Sequence, residues 1–172
     1  TFTQRISEAS TRALVVSTDG SRVAAIHRAP GVDALAARKA GLPLPPSTVA
    51  IYAAAGMTLE SSFPVSGDAF DLAMAPDGES LYVLVPGDGA VHQHRLDGTL
   101  IRSFSIVNQG TGTQASMLSE LALSPDGSKL IVPVTSAEES WLAEIDLAVD
   151  AKDPILHQGL GHARRIQGLR WA

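Results

Sequence analysis

The sequence predicts an all-β chain, a β-propeller segment of about three four-stranded blades with an outer strand at its start and an inner strand at its end. Three observations carry this. A hairpin motif recurs, DLAMAPDGESLYVLV at 71–85 and ELALSPDGSKLIVPV at 120–134, with a looser copy, ALVVSTDGSRVAAI, at 13–26. Each half of the motif alternates apolar and other residues, as a strand with a buried face does. The shared turn residues Asp19, Asp77 and Asp126 stand 58 and 49 residues apart, near the roughly 40–50-residue period of propeller blades built from four strands each.

The turn itself is legible. Proline pre-sets φ at the second position of a type I turn, aspartate suits the third, and glycine takes the left-handed position that closes the hairpin. With the turns superimposed, Leu14, Leu72 and Leu121 coincide, then Val16, Met74 and Leu123. Past the turn Val23, Leu81 and Leu130 coincide, then Ala25, Val83 and Val132.

Third and fourth strands are expected at 48–53 and 58–64, at 90–96 and 99–107 around the Asp97-Gly98 turn, and at 140–147 and 154–160. Residues 1–7 (TFTQRIS) resemble the fourth strands TLESSFP and TLIRSFS, and 169–172 (LRWA) superimpose on the start of an inner strand. The expected organisation is therefore one propeller segment over 1–172, with blades near 11–64, 69–107 and 117–160 and partial blades at 1–7 and 164–172. Such a segment is expected to meet the rest of a longer propeller or a second copy of itself, because its outermost faces and edges invite pairing.

Composition bounds the function. The 172 residues are 45% apolar but only 5% aromatic, so the core is built mainly from Ala, Val, Leu and Ile. A net charge of −5 argues against a nucleic-acid partner, which needs a basic stripe. No apolar run approaches the ~20 residues of a membrane-spanning helix. Absence of cysteine removes disulfides, thiolate zinc sites and cysteine nucleophiles. No glycine-rich loop opens a helix and no Gly-x-Ser-x-Gly elbow is present.

Two insertions fall on one face of the predicted disc. Residues 28–47 (RAPGVDALAARKAGLPLPPS) carry helix formers over 32–39 and a polyproline-like exit, and residues 108–116 (NQGTGTQAS) are polar and glycine-rich. An elaborated face on a rigid scaffold is where loop-borne binding is usually placed, which singles out Arg28, Arg38, Lys39, Asn108, Gln109 and Arg164 as binding-face residues. Capping of the ring, or contact with a neighbouring domain, is the plainer use of these loops.

Titratable residues give five candidates of a catalytic or ligating kind. Asp71 and Glu120 occupy one aligned position at the start of successive inner strands, and His162 lies in a connection near the axis. His92 and His94 are two apart on a strand, a spacing able to ligate zinc or copper, yet no further ligand lies within the strand and a solvated pair is expected. Trp141 and Trp171 read as packing between blades, and Thr1 as part of a strand.

The hairpin LALSPDGSKLIVPV followed by EIDLA resembles the YVTN-type repeats of bacterial surface propellers and of lactonase-like propellers. Similar SPDG hairpins occur in TolB-like propellers and in the propeller capping prolyl-oligopeptidase-type enzymes. The second strands VAAIHR, LYVLVP and LIVPVT depart from the terminal Thr-Asn of the YVTN pattern. The resemblance implies an extracytoplasmic or secreted bacterial protein. It also implies a divalent metal or general base among acidic residues on the propeller axis. The expected function is a scaffold that binds a protein or a small polar ligand. The alternatives are a lactonase-like or lyase-like enzyme using Asp71, Glu120 and His162, and a regulatory propeller of a larger hydrolase.

Overall fold

A computed structural model of the chain describes residues 10–30, 34–106, 117–118, 120–135, 140–148 and 155–157. The expected strands at 1–7 and 169–172 lie outside them. The described residues form three antiparallel sheets. The first runs β1 (Thr11–Val16), β2 (Arg22–His27), β3 (Ser47–Ala53), β4 (Thr58–Val65), each strand beside the next in sequence. The second repeats that order with β5 (Asp71–Met74), β6 (Ser80–Val85), β7 (Ala90–Arg95) and β8 (Leu100–Ser105). In the third, β10 (Ala122–Leu123), β11 (Lys129–Thr135), β12 (Ser140–Asp146) and β13 (Ile155–His157) follow one another, and the short β9 (Met117–Leu118) also pairs with β11. The fold is thus all-β, and the described residues include one short α-helix, α1 (Ala34–Lys39), inside the first insertion.

The hairpin turns form as their residues dictate. Gly20, Gly78 and Gly127 have φ of 72°, 70° and 72°, the left-handed region that only glycine enters cheaply. Each turn is closed by paired backbone bonds: in the second sheet, Gly78 donates to Ala75 and Ala75 to Ser80. The first and third turns carry an additional serine latch. Ser17 donates to Asp19 at 2.6 Å and accepts the N–H of Arg22 at 2.9 Å; Ser124, Asp126 and Lys129 repeat this at 2.6 and 2.9 Å. Ala75 stands at that position in the second sheet, where Asp77 takes the N–H of Glu79.

Sheets stack face on face, so the core lies in two seams. The first holds Ala24, Ile26, Val49, Ile51 and Phe63 of the first sheet against Leu72, Met74, Leu81, Val83 and Val85 of the second. The second holds Tyr82, Leu84, Val91 and Phe104 against Leu130, Val132, Val134, Trp141, Ala143 and Ile145 of the third. Trp141 packs between blades as expected. All six residues of β6 are buried, because successive side chains enter opposite seams. A β-bulge recurs at the same place in the outer hairpin of two sheets, between Ile51 and Tyr52 and between Gln93 and His94.

One element departs from the expected pattern. The inner strand of the third sheet, expected as one run, is split into β9 and β10. At the break, the N–H of Leu121 bonds to the Asp71 carboxylate at 2.8 Å, a partner on the neighbouring sheet.

Candidate functional site

The innermost strands gather at the axis, where β5 lies against both β1 and β10. Between them is a cavity of about 350 Å³, walled by Leu14, Val15, Leu72, Met74, Leu121 and Leu123, among others, with Asp71 as its acidic member. Its far end is bordered by the turn residues Thr18, Pro76 and Pro125. Leu14 and Val16, at the aligned positions that are buried in the second sheet, are 63% and 51% exposed in the first.

Asp71 heads β5 and is held on both oxygens. Oδ1 accepts the N–H of Leu72 at 2.9 Å and Oδ2 that of Leu121 at 2.8 Å. Burial nonetheless raises its carboxyl above the ordinary value, outweighing the two N–H donors; nearby Glu120 pushes the same way and Arg12 opposes it. Arg12 lies with its guanidinium carbon 3.3 Å from the centroid of the Phe70 ring, a cation–π contact. Asp71, Glu120 and Arg12 therefore form one electrostatic group at the mouth of the cavity. The aligned carboxylates are brought together, but Asp71 is engaged as a tie between sheets.

That donor set does not suit a resident divalent ion. Such an ion takes several oxygen ligands, whereas both Asp71 oxygens are committed to N–H groups and a cation stands beside them. Among the described residues no three histidine, aspartate or glutamate side chains are grouped to hold a metal ion.

The first insertion packs beside the chain that leads into β5, although none of its described residues lines the cavity. Its exit packs Leu44 and the Pro45 carbonyl so tightly over Gly67 that a Cβ there would collide with both, and the chain enters β5 four residues later. Arg28 begins the insertion with its N–H bonded to Ser10 at 3.1 Å, and Lys39 ends α1 exposed to solvent. Arg38 lies on α1. Asn108, Gln109, His162 and Arg164 lie outside the described residues, as do the whole second insertion and Trp171.

The histidine pair corrects its expected setting. His92 and His94 share one face of β7, but that face points into the first seam. His94 is 8% exposed and stacks on Phe63 with ring centroids 5.4 Å apart. Asp88, in the turn before β7, stands 3.6 Å from His92 Nε2. The pair is enclosed, not solvated, because a second sheet covers a strand whose distance from the axis suggested exposure.

A third histidine went unnoticed in the sequence. His27 Nδ1 bonds Thr11 and its Nε2 bonds Tyr52, each at 3.1 Å, and burial lowers its pKa. The three residues come from β1, β2 and β3, so only strand register reveals the group.

No protein-family model matches the chain, and no curated protein is detectably similar in sequence. Solved structures with its fold are numerous. It is similar to the Dos1 propeller at 10% identity and a TM-score of 0.58, over 87% of this chain and 33% of that one. It is similar to the β-propeller domain of Cps50 (Swd1) from Myceliophteria thermophila at 15% identity and a TM-score of 0.54, over 90% and 44%. A prolyl endopeptidase matches at 18% identity and a TM-score of 0.61, over 89% of this chain and 22% of its own. The chain spans less than half of each of these structures. At such identities the likeness establishes the β-propeller fold and not an activity. Among the described residues no helix is long and apolar enough to cross a membrane.

Proposed function

We propose that this propeller is a binding scaffold that takes a protein segment or small polar ligand at the mouth of its axial cavity, on the face bearing residues 28–47. The observation that carries this reading is the cavity itself: about 350 Å³, its lining more polar than apolar, with Asp71 at one end and Thr18 and Ser124 toward the other, a concave site with a few placed polar groups as ligand sites have. The exit of the first insertion is seated over Gly67, four residues before β5, and so belongs to the same face. The Asp71–Glu120 pair favours a ligand with N–H donors or positive charge. An enzymatic role is less well supported. A general base must lie within reach of a substrate proton, and Asp71 is buried at the sheet junction with a backbone N–H on each oxygen.

The reading is tested by nuclear magnetic resonance. A panel of short basic peptides and small amines should perturb the amide signals of residues 14–16, 72–74 and 121–123. Thr18→Trp, at an exposed turn position that lines the cavity, should weaken or abolish the effect while leaving the spectrum folded. Replacing 28–47 by an Asn-Gly turn should weaken it, since β2 and β3 are already neighbours. Perturbation that survives both changes would overturn the proposal.

A further inference from the structure

The two seams use equivalent positions for different chemistry. On β7, His94 lies opposite Leu81 and His92 opposite Val83. On β12, the residues opposite the matching Leu130 and Val132 are Ile145 and Ala143. One seam thus carries two imidazoles where the other carries two hydrocarbon side chains. From this difference we infer that the first seam is an acid-labile joint. Protonation of the His92–His94 pair loosens the first sheet from the second, while the second seam holds.

The geometry explains why a proton is unwelcome there. His94 Nδ1 contacts the Gly98 carbonyl at 3.1 Å; a carbonyl only accepts, so Nδ1 carries the hydrogen. Nε2 is then a bare lone pair, buried with no partner. The ring is enclosed beside Phe63 with no partner at Nε2 among the described residues, so a charge in this pocket is poorly solvated. His92 lies close by, its ring centroid 6.1 Å from that of His94, and its charge would meet that poorly solvating neighbour.

The groups facing the pair do not reverse this. Asp88, at 3.6 Å from His92, favours its charged form but is half exposed. Asp68 is buried beside Gly87, in the turn that precedes Asp88. From the first sheet, the flank toward this seam carries Arg22 and Glu60, already paired with each other at 2.8 Å. Burial is the leading influence on His92 and lowers its pKa from 6.5. A group depressed on folding stabilises fully above its unfolded value and loses that contribution as the pH falls below it. The loosening therefore develops below about pH 6.5, where histidine ordinarily titrates.

Hydrogen exchange of the full chain, corrected for intrinsic rates, reads each seam separately. Between about pH 7.5 and pH 5.5, amides of 24–27 and 49–63 should exchange faster by on the order of tenfold, the equivalent of one pKa unit. Amides of 130–134 and 143–147 should not. The variant H92A/H94I, which carries the second seam's own residues, should lose the acceleration, whereas H27Q should keep it. Equal acceleration in both seams, or its persistence in H92A/H94I, would overturn the inference. Should that variant fail to fold, His92→Ala alone at the seam's rim must reduce the effect, and full acceleration in it would be equally fatal.

Discussion

The first and second seams are two builds of one joint. Phe63 and Phe104 occupy the same place, opposite Val49 and Val91 on their neighbouring strands, and each lays its ring into the next sheet. Both seams also receive an outer tie at equivalent residues: Ser61 donates to the Leu96 carbonyl at 2.6 Å, and Arg102 to the Leu147 carbonyl at 3.0 Å. The differences lie around that frame. Arg102 also bonds Gln93 at 2.8 Å and lies over Phe104, whereas Ser61 reaches only across the seam. The second seam is held at the axis by Asp71 and at the turn by Gly127 against Pro76. The first has the Arg12–Phe70 stack, the buried His94 and the half-buried His92 instead. An apolar frame sets how sheets stack, and polar ties decide how firmly.

The largest way to break the comparison is to remove the shared rings. Phe63→Ala and Phe104→Ala should each cost about 3–5 kcal/mol, the usual loss for a truncated core aromatic, read as a shift in denaturant midpoint. A loss at Phe63 below about 1 kcal/mol would mean that the first seam is not closed as described.

Next in size is the axial tie across the second seam. Asp71→Ala leaves the Leu121 N–H without its acceptor and should cost roughly 1–3 kcal/mol. Asp71→Asn, keeping one acceptor oxygen, should cost less. Equal losses from the two would show that the N–H bonds are not what Asp71 contributes.

Glycine at the turns separates the seams more finely. Gly20→Val meets empty space and should cost on the order of 1–2 kcal/mol for its left-handed φ. Gly127→Val pays the same and also drives a Cβ into Pro76, so it should be the worse of the two. If they prove equal, the turn of the third sheet does not rest on the second.

The smallest effect is in acid. Serine hydroxyls first, and then the N–H and hydroxyl of the following serine, hold Asp19 and Asp126 at about 2, against an ordinary 3.8. A carboxylate lowered on folding stabilises fully above its unfolded value and loses this as the pH falls through the folded one. Ser17→Ala and Ser124→Ala should therefore move the acid-unfolding midpoint to higher pH. An unchanged midpoint would show that the latches do not set it.

Much of this architecture can be read from the chain, and the missing parts have a common cause. The Pro-Asp-Gly turns and alternating strands are local, so the hairpins of 13–26 and 71–85 and the helix at Ala34–Lys39 are visible in sequence. The ties between sheets end on main-chain groups, the carbonyls of Leu96 and Leu147 and the N–H of Leu121, which leave no mark in side-chain identity. The split in the third inner strand follows from one of them. His92 and His94 mislead for a different reason. In stacked sheets both faces of a strand are covered, so alternation reports which seam a residue enters and not whether water reaches it. The mouth of the axial cavity is similarly hidden, because Arg12, Asp71 and Glu120 meet from three different repeats.

The outer ties carry an implication for how such a molecule can change over generations. Their acceptor is a peptide carbonyl, which every residue possesses, and the donor on the preceding sheet has been Ser at one repeat and Arg at the next. A duplicated repeat therefore finds its attachment point waiting, whatever its own outer strand encodes. No compensating substitution is demanded of the neighbour. The rim of the disc can drift in charge and size, repeat by repeat, without asking permission of the core.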